Sequence, residues 1–313
     1  MKNRQAIPAL LLCLLLLSAC SGPGTAEAKG EARLTVVATT YPVYVFTCAV
    51  ADGVEGVEVL QLVNQPTSCL HDYTLTVGDM KTLERADVLV MNGAGLEDFL
   101  SAALETSDAA VIDCSAGVDL LEEAGHEGHD HDTEYDPHIW MDPARAAQMV
   151  ESIGAGLAAL DADSAAAYGA NSAAAQDLLE AWDAELRQLL CDGPDAPAVR
   201  ELITFHEGFR YFADAYDFHI LRAIEEEEGS EASAHEILAV VELIGEYRLP
   251  VIFIETNGSD ATARAIQRET GVEVEELTMI MSGEESALSA YYEAQQRNAA
   301  AILRGFAGEG EEA

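Results

Sequence analysis

The sequence predicts an α/β protein built as two lobes with parallel sheets, joined by a long rigid backbone helix. Three observations predict it. Short apolar, β-branched runs alternate with helical patterns over residues 34–113, as in strands of a parallel sheet wrapped by helices. The alternation stops over residues 144–190, which are rich in Ala, Leu, Glu and Gln and contain no proline. It resumes near residue 200. A chain of 313 residues has the length for two such units, each burying its own core.

The elements follow in order. Lys2 and Arg4 form a basic start, residues 6–17 are apolar apart from Pro8, and Leu17-Ser-Ala-Cys20 sets small residues before a cysteine. A membrane span takes about 20 apolar residues, so residues 1–19 read as a cleaved signal peptide and 20–32 as anchor and spacer. In the N-terminal lobe, 33–160, strands are expected at 34–39, 57–63, 87–91 and 110–113. Helices are expected at 42–51, at 77–86 opened by Thr76, and at 96–105. The linking segment is 161–192: a first helix ends near 160–161 and a second runs from about 164 to 190. At 1.5 Å per residue the second spans roughly 40 Å, enough to run along two lobes. The C-terminal lobe, 193–313, has strands at 200–205, 218–223, 251–255 and 272–277 and a last helix at 285–306. A polar tail, 308–313, completes it.

Composition narrows the partners. Asp and Glu number 56 against 16 Lys and Arg, a formal charge of -40. With 49% hydrophobic residues the chain is no disordered acidic polymer. Its field repels phosphate backbones, which excludes nucleic acid and leaves cations as natural ligands. Past Cys13 and Cys20 there are four cysteines, Cys48, Cys69, Cys114 and Cys191, and no C-x-x-C pair. Outside the cytoplasm these are open to disulfide pairing in three full connectivities. Cys69, two residues before His71, is a soft metal ligand, a disulfide half or an inert thiol.

The chemistry lies in the histidines. His71 falls in the loop after the second strand, His138 in Asp136-Pro-His-Ile-Trp-Met-Asp-Pro143, and His206 directly after a strand in Leu202-Ile-Thr-Phe-His206. Ligands of open α/β sheets bind beyond the carboxyl ends of the strands. Three imidazoles converging on a cleft between the lobes make a borderline-soft cation site suited to zinc. Upstream of His138, the tract Gly125-His126-Glu-Gly-His129-Asp-His131-Asp-Thr-Glu134 is either a weak accessory chelator or a solvated acidic loop. His219 and His235 read as structural. The acids at 225–228 and 231 read as a solvated turn before a helix capped by Ser233.

Five segments in this order resemble the zinc/manganese solute-binding lipoproteins of ABC transporters, in the zinc-binding branch with a His-rich loop. They are Val36-Val-Ala-Thr-Thr-Tyr-Pro42, Leu70-His-Asp-Tyr-Thr-Leu-Thr-Val-Gly-Asp79, Ala86-Asp-Val-Leu-Val-Met-Asn-Gly-Ala-Gly-Leu-Glu97, Asp136 to Pro143, and Thr204-Phe-His-Glu-Gly-Phe-Arg-Tyr-Phe-Ala213. In the second, Val77-Gly78 replaces the family's Pro-Ser.

The resemblance implies capture of Zn2+, with Mn2+ less favoured, and delivery to an ABC permease by a monomer. The segment before Cys20 resembles a bacterial lipoprotein signal, so lipid anchoring through Cys20 and an extracytoplasmic place on the cell membrane are expected. The single linking helix suggests limited rocking of the lobes. The family resemblance carries over His71, His138 and His206 as ligands. The family often supplies an Asp after the last strand, but Leu277-Thr-Met-Ile-Met-Ser-Gly283 holds no carboxylate. The fourth position therefore falls to water, Glu255 or Glu284, with Glu255 alternatively holding an imidazole N–H. Other uses of the same metal site are adhesion and metal-dependent hydrolysis. The chain lacks H-E-x-x-H, G-x-S-x-G and P-loop lysine motifs, so no enzyme is expected.

Overall fold

Two four-stranded sheets, all parallel, organise the chain. The computed structural model describes residues 32–65, 70, 73–122, 134–224, 232–256 and 260–307. The first sheet contains β1 (Leu34–Ala38), β2 (Val57–Gln61), β3 (Val88–Met91) and β4 (Ala110–Asp113) in the order β2-β1-β3-β4. Its helices are α1 (Tyr41–Val50), α2 (Val77–Leu83) and the single turn α3 (Ser101–Leu104). Two long helices follow, α4 (Pro143–Leu160) and α5 (Ala165–Arg187). The second sheet contains β5 (Glu201–Thr204), β6 (His219–Ala223), β7 (Val251–Glu255) and β8 (Glu273–Leu277) in the order β6-β5-β7-β8. With it come α6 (Arg210–Ala215), α7 (Ala234–Tyr247), α8 (Ala261–Thr270) and α9 (Leu288–Ala307).

The central strands are apolar because helices cover both faces: Val36, Val37 and Ala38 of β1 and Leu89 and Val90 of β3 are fully buried. Registers run unbroken from Leu34↔Val57 to Ala38↔Gln61 and from Val251↔Glu273 to Glu255↔Leu277. Helix ends follow their capping chemistry. Thr76 and Asp79 form a reciprocal capping box on α2, and Ser233 and Glu236 do the same on α7. Asp142 accepts from Ala144 N at 2.8 Å ahead of Pro143, the first residue of α4. Gly271, at φ +75°, ends α8 in the left-handed conformation that glycine adopts without steric cost.

α5 runs between the halves as expected, then closes in a π turn, Gln188–Asp192. Its first half is tied to the N-terminal lobe: Asn171 Nδ2 donates to Val50 O at 2.9 Å and Asp52 O at 2.8 Å. Its second half serves the other lobe. Tyr216 OH donates to Asp183 Oδ1 at 3.1 Å, and Trp182 stacks on Tyr292 of α9 with ring centroids 4.6 Å apart. A single hydrophobic cluster runs from Val36 and Val90 to Phe253 and Ile302, and Phe46 of α1 meets Tyr291 of α9 edge-on at 5.2 Å.

The structure departs from expectation at 96–105. A 3-10 turn, Asp98–Leu100, and the four residues of α3 replace one helix. The cause is Glu97, whose carboxylate turns back to accept from Asn92 N and Gly93 N. The last helix starts at Leu288 rather than 285. Cys48, Cys114 and Cys191 are free thiols, and burial pushes the Cys48 thiol up to about 11; Cys69 lies outside the described residues. Among the described residues no helix is long and apolar enough to cross a membrane.

α4 and α5 pack closely where Gly154 faces Ser172: a methyl group on Gly154 would stand 2.6 Å from both Ser172 Cβ and Oγ. Gly154→Ala is therefore expected to destabilise the fold by about 1–3 kcal/mol through overpacking, read as a lower urea midpoint at unchanged m-value.

Candidate metal centre

Each sheet reverses its strand order once, between β1 and β3 and between β5 and β7. Such switch points open crevices at the strands' carboxyl ends. The second crevice carries two of the candidates: His206 follows β5, and Glu255 is the last residue of β7, both 8% exposed. Thr204 Oγ1 donates to His206 O at 2.9 Å and braces the turn.

His138 arrives from the connection between β4 and α4, at 5% exposure. Its ring and that of His206 meet edge to face, centroids 5.6 Å apart. Asp136 fixes it. Asp136 Oδ1 accepts from His138 N at 2.9 Å and lies 2.8 Å from His138 Nδ1. Burial opposes ionisation of Asp136, but the His138 ring and backbone N–H and the Arg210 guanidinium together hold its carboxyl below the ordinary value. An ionised carboxylate only accepts, so the Nδ1 that faces it carries a proton.

The chain just after His206 also holds the His138 segment. Tyr211 OH donates to Asp136 O at 2.8 Å and accepts from Leu121 N at 3.0 Å. Arg210 Nη1 donates to Glu122 O at 2.8 Å and lies 3.7 Å from Asp136 Oδ2.

The loop after β8 forms another wall. Met279 is buried, with its carbonyl accepting from Trp140 Nε1 at 2.8 Å. Asn298 grips Thr278 through both its amide groups, at 2.8 and 2.9 Å. Ile280 sits at φ +60°, where a β-branched residue stores about 1–3 kcal/mol of strain. Gly208 admits this loop. A methyl there would overlap Met279 Cε and stand 2.8 Å from Met279 Sδ and 2.9 Å from His138 Cδ2.

The first crevice is closed by Glu97. Its carboxylate accepts from Thr39 Oγ1 at 2.6 Å, Asn92 N at 2.7 Å and Gly93 N at 3.0 Å. Asn92 Nδ2 in turn donates to Pro137 O at 2.8 Å, next to His138. Burial pushes the Glu97 carboxyl up to about 7, against the pull of those three donors.

Of the expected ligands, the structure brings together His138 and His206. His71, the accessory His126, His129 and His131, and Cys20 lie outside the described residues. Among the described residues no group of three or more His, Cys, Asp or Glu side chains is placed to hold a metal ion. Glu284 is exposed, as are His219 and His235. Sequence reasoning passed over Met279, Gly208, Arg210 and Asn92. Only the glycine in His206-Glu-Gly208 hinted that another segment comes close.

A sheet pair of this topology, with an imidazole pair at one switch crevice, defines a two-lobed binding protein. The chain belongs to the ZnuA family, described as zinc-uptake complex component A, periplasmic, whose model matches residues 36–305. It is similar to the zinc-binding lipoprotein AdcA of Streptococcus pneumoniae, 29% identical over 87% of this chain and 54% of that protein, so it spans about half the length of that relative. It is also similar to the manganese-binding lipoprotein MntA of Halalkalibacterium halodurans, 30% identical over 75% of this chain and 77% of that one. A crystal structure of ZnuA superposes with a TM-score of 0.74 at 28% identity, covering 87% of this chain and 99% of the other.

Asp136→Asn removes the charged acceptor behind His138 and should weaken cation binding by about 10–100-fold, measured by competition with a chelator. Glu97 yields a pH test. Its folded value is raised above the ordinary 4.5, so the unfolded chain ionises first. Stability is full below about pH 4.5 and falls as pH rises through about 7. Glu97→Gln should flatten that fall in urea titrations across this window.

Proposed function

We propose that the protein captures zinc outside the cytoplasm and presents it to an ABC permease for import. The observation that carries this reading is the His138–His206 pair, one imidazole from each half of the chain, with Asp136 holding one ring at Nδ1. Membership of a zinc-uptake family supports it, as does the zinc-binding relative AdcA. His71 is proposed as the third nitrogen ligand, and Glu255 completes the site or holds an imidazole N–H. His126, His129 and His131 add weaker zinc sites. Cys20 carries a lipid that tethers the protein to the membrane. The chain acts as a binding protein rather than an enzyme.

The chemistry follows from the donors. Zinc takes a low coordination number and accepts neutral imidazole, whereas manganese favours oxygen ligands. The imidazoles must be neutral to bind, so uptake releases protons and affinity falls as pH falls. The shared core between the halves limits the motion of loading to small displacements.

His206→Ala is the direct test. It should cut zinc affinity by more than about 100-fold, because it removes a ligand rather than its support, while leaving the circular dichroism spectrum unchanged. Unaltered affinity against a chromophoric chelator would refute the assignment.

A further inference from the structure

We propose that Asn92 is a positioning residue for metal capture, acting from the first lobe on the turn that presents His138. This rests on the zinc reading above and deepens it. His138 sits at φ -80° and ψ 41°, the centre of a three-residue turn in which Ile139 N donates to Pro137 O at 2.8 Å. Asn92 Nδ2 donates to the same carbonyl, also at 2.8 Å, and to Gly93 O at 3.0 Å. Both acceptors are carbonyls, so the end of the amide that faces them is its NH2. Asn92 is fully buried. Pro137 O thus takes one bond that closes the turn and one that braces it.

Asn92 is itself held from several sides. Its backbone N donates to Glu97 Oε1 at 2.7 Å, and Gly93 N donates to Glu97 Oε2 at 3.0 Å. The chain then makes three left-handed residues in a row, Gly93 at φ +84°, Ala94 at +52° and Gly95 at +85°. That backbone is sterically costly for alanine and persists only where surrounding contacts over-determine it. Ala94 N donates to Ser115 Oγ at 3.2 Å, and a methyl on Gly93 would overlap the Asp113 carboxylate. Neighbouring carbonyls of the ligand segment are held from the second lobe, Asp136 O by Tyr211 and Trp140 O by Tyr291. The second lobe sets where the segment lies. Asn92 sets the turn, and with it the direction in which the His138 side chain leaves the backbone. Asp136 then fixes the rotation of the ring.

The test uses Asn92→Leu, which keeps the bulk and drops both donors, and Asn92→Ala, which removes the bulk as well. Hydrogen exchange of the metal-free protein, followed by NMR, should show the Ile139 amide opening about fivefold faster or more in each. The Trp140 indole N–H, bound to Met279 O, should stay within about twofold of the parent. Zinc affinity, measured by chelator competition, should fall by about tenfold or more. A merely structural role would move both exchange signals alike, so equal acceleration of Ile139 and Trp140 overturns the proposal. An unchanged Ile139 amide in a folded variant overturns it too. So does zinc affinity within about twofold of the parent while Ile139 opens faster, because the turn would then not govern the ligand. Failure of both variants to fold makes Asn92 a structural residue, which is equally fatal. A parent protein that binds no zinc fails the functional reading instead, and the exchange measurements, made without metal, still decide whether Asn92 holds the turn.

Discussion

The structure depends on how residues 139–141 are clamped. They follow His138 directly, yet three of their polar groups are satisfied by the other half of the chain. Trp140 Nε1 donates to Met279 O, Tyr291 OH donates to Trp140 O at 2.7 Å, and Gln295 Nε2 donates to Met141 O at 3.0 Å. Trp140 and Tyr291 are fully buried. Separating the lobes here would expose large side chains at roughly 1.5–3 kcal/mol each and strand buried hydrogen-bonding groups as well. His138 is thus carried by the connection out of the first sheet but positioned by the second. The imidazole pair keeps its geometry through this tie, and a hinge of wide amplitude is incompatible with it.

Several arginines tie distant elements of the fold together. Arg145 reaches Asp142 at 2.7 Å and Asp214 at 2.9 Å while lying 5.1 Å over the Tyr211 ring. Arg33 joins the start of β1 to Asp161 at 2.8 Å, where the first long helix gives way to the second. Arg210 serves the Asp136 segment. Basic groups so placed knit elements together, and acids outnumber them 56 to 16 in the sequence. A surface of that sign concentrates cations around the molecule.

The strands were legible because β-branched runs are local facts: β4 and β7 match expectation residue for residue, and β1 and β2 end one or two residues early. Thr76 and Ser233 were legible as caps because the side chain that closes each helix lies within three residues of its partner. Residues 96–105 were not, since Glu97 answers to Asn92 and Gly93 rather than to helical periodicity. The loop after β8 was read for a missing carboxylate, and its methionine was passed over. What gives Met279 its place is Gly208 and Trp140, contacts separated by long stretches of chain. Left-handed Ile280 is invisible in sequence for the same reason, because nothing local asks for it.

The two sheets repeat one strand order, and so each has one crevice of the same kind. In the second, His206 and Glu255 stand at the strand ends. In the first, the place is taken by the protein's own Glu97, held by Thr39, Asn92 and Gly93 as a bound anion would be. That crevice has a permanent tenant, attached through the backbone and delivered as the chain folds. The first lobe can therefore close its crevice from its own residues, with no ligand needed from outside.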